Sequence, residues 1–165
     1  MGVVEAMKKI KIVVEKIISG GQTGADRAAL DFAIEHGIRH AGWCPKGRIA
    51  EDGVIHSRYA LGETPSANYV QRTAWNVRDS KGTAVFTIRQ TLTGGSKATG
   101  EFAAGYGRPW IHLSKEATAD PVTALRDFLV QNKVTVLNVA GSRASKEPQV
   151  AAFVQDVLSQ VFKPA

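Results

Sequence analysis

Short β-branched runs alternate with helix-period segments along this chain, and the junctions between them are rich in glycine. Residues 12–18 (IVVEKII), 83–88 (TAVFTI), 110–113 (WIHL) and 134–139 (VTVLNV) read as strands, with a further short apolar stretch at 41–44. Between the first two runs, Ala25, Ala29, Phe32 and Ala33 recur at helix spacing over residues 24–36, and Gly37 follows where a helix stop favours positive φ. Helices are also expected over 66–78 and 97–105. Another begins at Asp120-Pro121, a capping residue followed by proline in the first turn, and a last one after Pro148 carries Val150, Phe153, Val154, Val157, Leu158 and Val161 on one face. Parallel strands need crossover helices, so this order predicts an α/β sandwich with a mainly parallel sheet of about five or six strands. Residues 46–65, punctuated by Gly47, Gly53, Gly62 and Pro65, read as one long irregular loop.

At 165 residues the chain is expected to form a single domain over 1–165, with 1–11 as a loosely ordered N-terminal extension. The 44% of apolar residues suffice for a core without staples, and the single cysteine, Cys44, excludes an internal disulfide or a cysteine-only zinc site. No 18-residue apolar window exists, and the N-terminus has no uncharged hydrophobic region, so no membrane association and a cytoplasmic location are expected. The net charge of +6 suggests an anionic partner. Its basic residues are scattered, with no run beyond Lys8-Lys9, which excludes a polybasic nucleic-acid tail.

Three junctions could carry chemistry: residues 19–24 (SGGQTG), 93–100 (TGGSKATG) and 140–143 (AGSR). In a parallel sheet these lie at the carboxyl ends of strands, where ligands bind. Glycine admits close backbone approach, and the helix N-terminus that follows favours an anion, so phosphate is the expected guest. Neither G-x-G-x-x-G nor G-x-x-x-x-G-K-[ST] occurs, which argues against a common dinucleotide or P-loop site. Asp26 and Arg27 follow the first junction; Asp26 either answers the helix dipole or holds a loop or a ligand hydroxyl. Lys46 and Arg48 flank Gly47 and are expected to stand exposed, ready to neutralise a phosphate. The histidines at 36, 40, 56 and 112 show no metal-ligand spacing, and no protein-held metal is expected. Trp43, Trp75 and Trp110 are packing residues unless one faces the crevice.

Residues 17–31 (IISGGQTGADRAALD) resemble the opening motif of the molybdenum carrier family. So do residues 42–48 (GWCPKGR) with 51–53 (EDG), 72–80 (RTAWNVRDS) and 138–143 (NVAGSR), so that the similarity runs from about residue 16 to 160. The resemblance implies a Rossmann-like three-layer sandwich. It also implies kinship with molybdenum-cofactor carriers, with lysine-decarboxylase-like phosphoribohydrolases and with a DNA-processing protein, which share nucleotide-like or phosphate-bearing ligands above the sheet. Residues 93–101 also align with the phosphoribohydrolase signature P-G-G-x-G-T-x-x-E. Gly94, Gly95 and Glu101 match, while Thr93, Lys97 and Ala98 depart from it.

The leading expectation is a non-catalytic carrier of a phosphate-bearing small molecule, with molybdenum cofactor as possible cargo and possible homo-oligomer formation. Its site draws on Gly20, Gly21, Gln22, Thr23, Gly24, Asp26 and Arg27, on Lys46 and Arg48, on Gly94, Gly95, Ser96, Lys97 and Thr99, and on Arg143. The alternatives are an enzyme cleaving the N-glycosidic bond of a nucleoside monophosphate, with Glu101 as its carboxylate, and a nucleic-acid-binding module. A lysine at 97 is expected to pair with Glu101 four residues on, which favours the carrier.

Overall fold

The computed structural model describes residues 11–163. Residues 1–10, including Lys8-Lys9 and all but one residue of the expected extension, lie outside the described residues. The elements are β1 (Lys16–Ile18), α1 (Ala25–Glu35), β2 (Arg39–Ala41), β3 (Trp43–Cys44), β4 (Ile49–Ala50), β5 (Gly53–Val54), β6 (Gly62–Glu63), α2 (Tyr69–Arg78), β7 (Gly82–Thr87), α3 (Gly94–Gly105), β8 (Trp110–Ser114), α4 (Pro121–Gln131), β9 (Val136–Gly141) and α5 (Val150–Val161). Among the described residues no helix is long and apolar enough to cross a membrane.

Five strands form one parallel sheet in the order β2-β1-β9-β7-β8. Helices α1, α5 and α4 cover one face, and α2 with α3 covers the other, giving the three layers of a Rossmann-like sandwich. The strand that comes last in the chain is the central one. Counted from β9, and then through β1, β2, β7 and β8, the spatial order becomes 3-2-1-4-5. That is the arrangement of a doubly wound nucleotide-binding fold with its chain order rotated by one strand. Its switch point falls between β9 and β7.

The two faces differ in chemistry because side chains alternate along a strand. Ile17, Ala84, Phe86, Leu137 and Val139 point into the main core with Phe32, Leu125, Leu129, Val154 and Leu158, all at most 0% exposed. Their neighbours Thr83, Thr87 and Asn138 are also buried, at most 3% exposed, but polar, and sit on the face under α2 and α3. The sheet is therefore oily on one side, while the other mixes Ile18 and Val85 with buried hydrogen-bonding groups.

Two boundaries depart from the sequence reading. The run at 12–18 pairs only over β1, and the apolar stretch at 41–44 is split at Gly42 into β2 and β3. Residues 46–65 are more ordered than an irregular loop. Ile49 pairs with Val54 in an antiparallel hairpin, and β6 pairs with β3. Leu30, Cys44, Ala50, Ile55 and Tyr59 form a second small core that holds this excursion against α1.

Arg48 acts as the centre of that excursion. Its guanidinium donates to the carbonyls of Ile55 (3.2 Å), Leu61 (3.2 Å), His56 (2.9 Å) and Tyr59 (2.8 Å). The expected exposed, ligand-ready Arg48 is thus corrected: it is half-buried, and its donors are engaged by the loop it closes.

Candidate functional site: a crevice at the strand switch point

A crevice of about 570 Å³ opens above the carboxyl ends of β1, β9 and β7, between α2, α3 and the loop that follows β9. That volume is within the usual range for small-molecule sites. Of the residues expected from sequence, it gathers Gly20, Gln22, Asp26, Gly95, Ser96, Thr99 and Arg143. Gly21, Thr23, Gly24, Arg27, Lys46, Arg48, Gly94 and Lys97 are not among its lining residues.

The first glycine loop does not present its backbone as an open anion cradle. The Gln22 N–H donates to Asp26 Oδ2 (3.3 Å), the Thr23 N–H to Gln22 Oε1 (3.0 Å) and the Ala25 N–H to the Ser142 carbonyl (3.0 Å). The N–H groups expected to receive a phosphate are engaged by the chain's own oxygens. Thr23 also donates to Glu51, which accepts the Ser145 N–H (3.1 Å) and hydroxyl (2.5 Å) and lies 3.8 Å from Arg143. Those hydroxyls hold the Glu51 carboxyl below its ordinary 4.5. Arg27 is occupied elsewhere, forking onto Asp52 and donating to the Gly21 carbonyl (3.0 Å).

One end of the crevice is built around Arg72, 8% exposed, and Asp26, 7% exposed. Arg72 Nη1 donates to the Gly20 carbonyl (2.7 Å) and stands 3.9 Å from Asp26 Oδ2. Burial raises the Asp26 pKa above the usual 3.8, against the lowering pull of Arg72 and of the Gln22 N–H. Gly20 is needed for space: a Cβ there would lie 2.5 Å from Arg72 Nη1 and 2.9 Å from Asp26 Oδ2. The Tyr69 ring lies beneath the same guanidinium, 5.1 Å from its carbon, and borders the mouth.

The other end is made by the loops after β7 and β9. Glu147 accepts the N–H groups of Ile88 (2.9 Å) and Arg89 (2.9 Å) and the Ser142 hydroxyl, pinning the two loops together. Partial burial pushes its carboxyl up, but these donors outweigh it and hold it below 4.5. Arg89, Arg143 and Lys146 line this end as cations. Beneath them, Thr87 donates its hydroxyl proton to the Arg89 carbonyl (2.5 Å), so His112 Nε2, 2.7 Å away, is the donor to Thr87. Burial draws the His112 pKa below 6.5.

Glu101 stands outside the crevice. Its carboxylate lies 3.8 Å from Lys97 Nζ, one turn away on α3, and both side chains are 66% exposed. The phosphoribohydrolase alignment therefore lacks its carboxylate at the crevice. None of the tryptophans lines the crevice; Trp43 and Trp75 pack edge to face, 4.8 Å apart. Among the described residues no cluster of three or more His, Cys, Asp or Glu side chains could hold a metal.

Sequence reasoning missed Tyr69, Arg72, Thr87, Arg89, Asn138, Lys146 and Glu147 as site residues. Two of them left a trace in the strands: Thr87 and Asn138 interrupt apolar runs with polar groups. Arg72 shows itself only in the structure, as a charge at a buried position of α2.

A rotated strand order with the crevice at its switch point is what a permuted nucleotide-binding fold would show. The circularly permutated YpsA SLOG family (cpYpsA) matches residues 17–162. The chain belongs to this family. A solved relative within the same fold is the "Putative molybdenum carrier protein" of Syntrophus aciditrophicus SB, 44% identical over 94% of this chain and 99% of that one, with a TM-score of 0.92. A comparison with curated proteins gave no match. This cpYpsA chain is thus molybdenum-carrier-like in kind, and its three-layer sandwich agrees with the fold expected from sequence.

Proposed function

We propose that the chain is a carrier that binds a phosphate-bearing, nucleotide-like small molecule in the switch-point crevice, with molybdenum cofactor as its candidate cargo. The observation that carries this reading is the polarity of the crevice. Arg89, Arg143 and Lys146 gather at one end, and a buried ion pair, Asp26 and Arg72, sits at the other. A phosphate suits the cationic end, where charge-assisted hydrogen bonds form. A polar ring suits the neutral pair. The cargo's name is suggested by the name of the Syntrophus relative.

The residues present fit such a cargo in one respect and limit it in another. Cys44, the only thiol, is buried in the small core under the 46–65 excursion and is not among the residues lining the crevice. The molybdenum would thus keep its own dithiolene ligands, and the protein would hold the pterin and phosphate. Mass spectrometry of the natively purified protein tests the reading. A copurifying pterin or nucleotide phosphate is expected. An empty protein that gives no calorimetric heat with nucleoside monophosphates or with molybdenum cofactor would reject it.

A further inference from the structure

Resting on that reading, we infer that Asp26 and Arg72 select a 2-aminopyrimidin-4-one ring, the ring edge shared by guanine and the pterins. Both side chains are about nine-tenths buried, 9% exposed for Arg72 and 10% for Asp26, yet both residues line the crevice. Their known contacts use only part of their capacity. The Gln22 N–H and the Arg72 guanidinium approach the same Asp26 oxygen, Oδ2, and among the described residues no N–H reaches Oδ1. Arg72 donates through Nη1 to Gly20, and among the described residues its Nε and Nη2 have no hydrogen-bond partner.

The pair therefore presents a donor edge beside an acceptor edge. A 2-aminopyrimidin-4-one offers the complement along one side: a carbonyl oxygen, a ring N–H and an exocyclic amino group. The carbonyl accepts from Arg72, and the two N–H groups donate to the Asp26 carboxylate. Adenine reverses this order. Its 6-amino group would face the guanidinium and its bare N1 would face the carboxylate, so that two polar contacts become repulsive. Because the two side chains neutralise one another, this end favours an uncharged ring over a second phosphate. Tyr69 at the mouth supplies an aromatic wall. The phosphate then lies toward Arg89 and Lys146 across the crevice.

Calorimetry of the unaltered chain with AMP, IMP, GMP and 6-hydroxymethylpterin phosphate tests the inference without any variant. GMP or the pterin phosphate is expected to bind at least about tenfold more tightly than AMP, as satisfied charge-assisted contacts at both Arg72 and Asp26 replace two mismatches. IMP, which lacks the exocyclic amino group, should fall between. The tighter of GMP and pterin phosphate identifies the source of the ring. Asp26→Asn, checked for folding by circular dichroism, should erase most of the preference by loss of an acceptor. Equal affinities across the series would overturn the inference and leave the carrier reading standing, whereas no binding of any member would overturn both.

Discussion

Glu51 accepts hydrogen bonds from Thr23 and from Ser145, residues 28 and 94 positions away in the chain. One carboxylate on the 49–54 hairpin thereby clamps the loop after β1 to the loop after β9. Since these donors depress the Glu51 pKa, its contribution to stability is present above the ordinary 4.5 and is lost as pH falls through the depressed folded value. Glu51→Gln should therefore cost on the order of 1 kcal/mol at pH 7. In thermal melts the gap to the parent chain should narrow steadily below pH 4.5. A gap independent of pH would show that the ionised Glu51 does not clamp the two loops.

Arg48→Ala should lower stability by roughly 2–4 kcal/mol, because four carbonyls lose their shared donor. Nucleotide affinity should change less than about twofold once folding is confirmed, since the guanidinium lies outside the crevice. The pair of measurements is a denaturant titration and a calorimetric isotherm. Lost affinity at unchanged stability would restore Arg48 to the binding site.

Gly21→Val should destabilise the fold rather than merely obstruct a ligand. Gly21 has φ of +79°, and a Cβ there would come within 2.8 Å of Leu61 Cδ1 and 3.0 Å of Ile55 Cδ1. Left-handed backbone alone costs an L-residue about 1–2 kcal/mol, and the contacts with the small core add to it. A melting temperature equal to that of the parent would contradict this.

Arg89→Ala and Lys146→Ala should each weaken binding of a phosphate-bearing nucleotide by about tenfold, the usual scale for one charge-assisted contact. Both side chains are at the surface, so stability should move by less than about 0.5 kcal/mol. Raising salt should shrink the difference between parent and variant.

The exposed Lys97–Glu101 pair should be nearly silent. Glu101→Gln is expected to alter stability by less than about 0.5 kcal/mol and to leave nucleotide affinity unchanged. A variant that binds tenfold more weakly would return Glu101 to the site.

The fold was readable because its signals are local. Strand runs such as residues 83–88, the Asp120 cap, which accepts the Thr123 N–H at 3.1 Å, and the stop at Gly37, with φ of +67°, all depend on neighbours within a few positions. The site was half readable for the opposite reason. Glycine loops announce a place where backbone approaches closely, but not what approaches it. At Gly20 the visitor is the Arg72–Asp26 pair, and at Gly21 it is Ile55 and Leu61. Arg72 lies 52 residues from its Gly20 acceptor and Glu147 lies 59 from Ile88, so pairwise spacing along the chain carries no trace of either. Arg48 misled because a basic residue between glycines and prolines looks solvent-facing until the loop carbonyls around it are seen.

The placement of β9 has a consequence for how the molecule is assembled. Without that strand, β2-β1 and β7-β8 are two separate parallel pairs with no hydrogen bond between them. β9, the last of these five strands to be synthesised, is therefore the keystone, slotting between halves that must wait for it. Long-range pairing of this kind slows folding. A nascent chain halted before residue 134 would present two open sheet edges facing one another, and chaperone dependence during synthesis should be greatest in that interval.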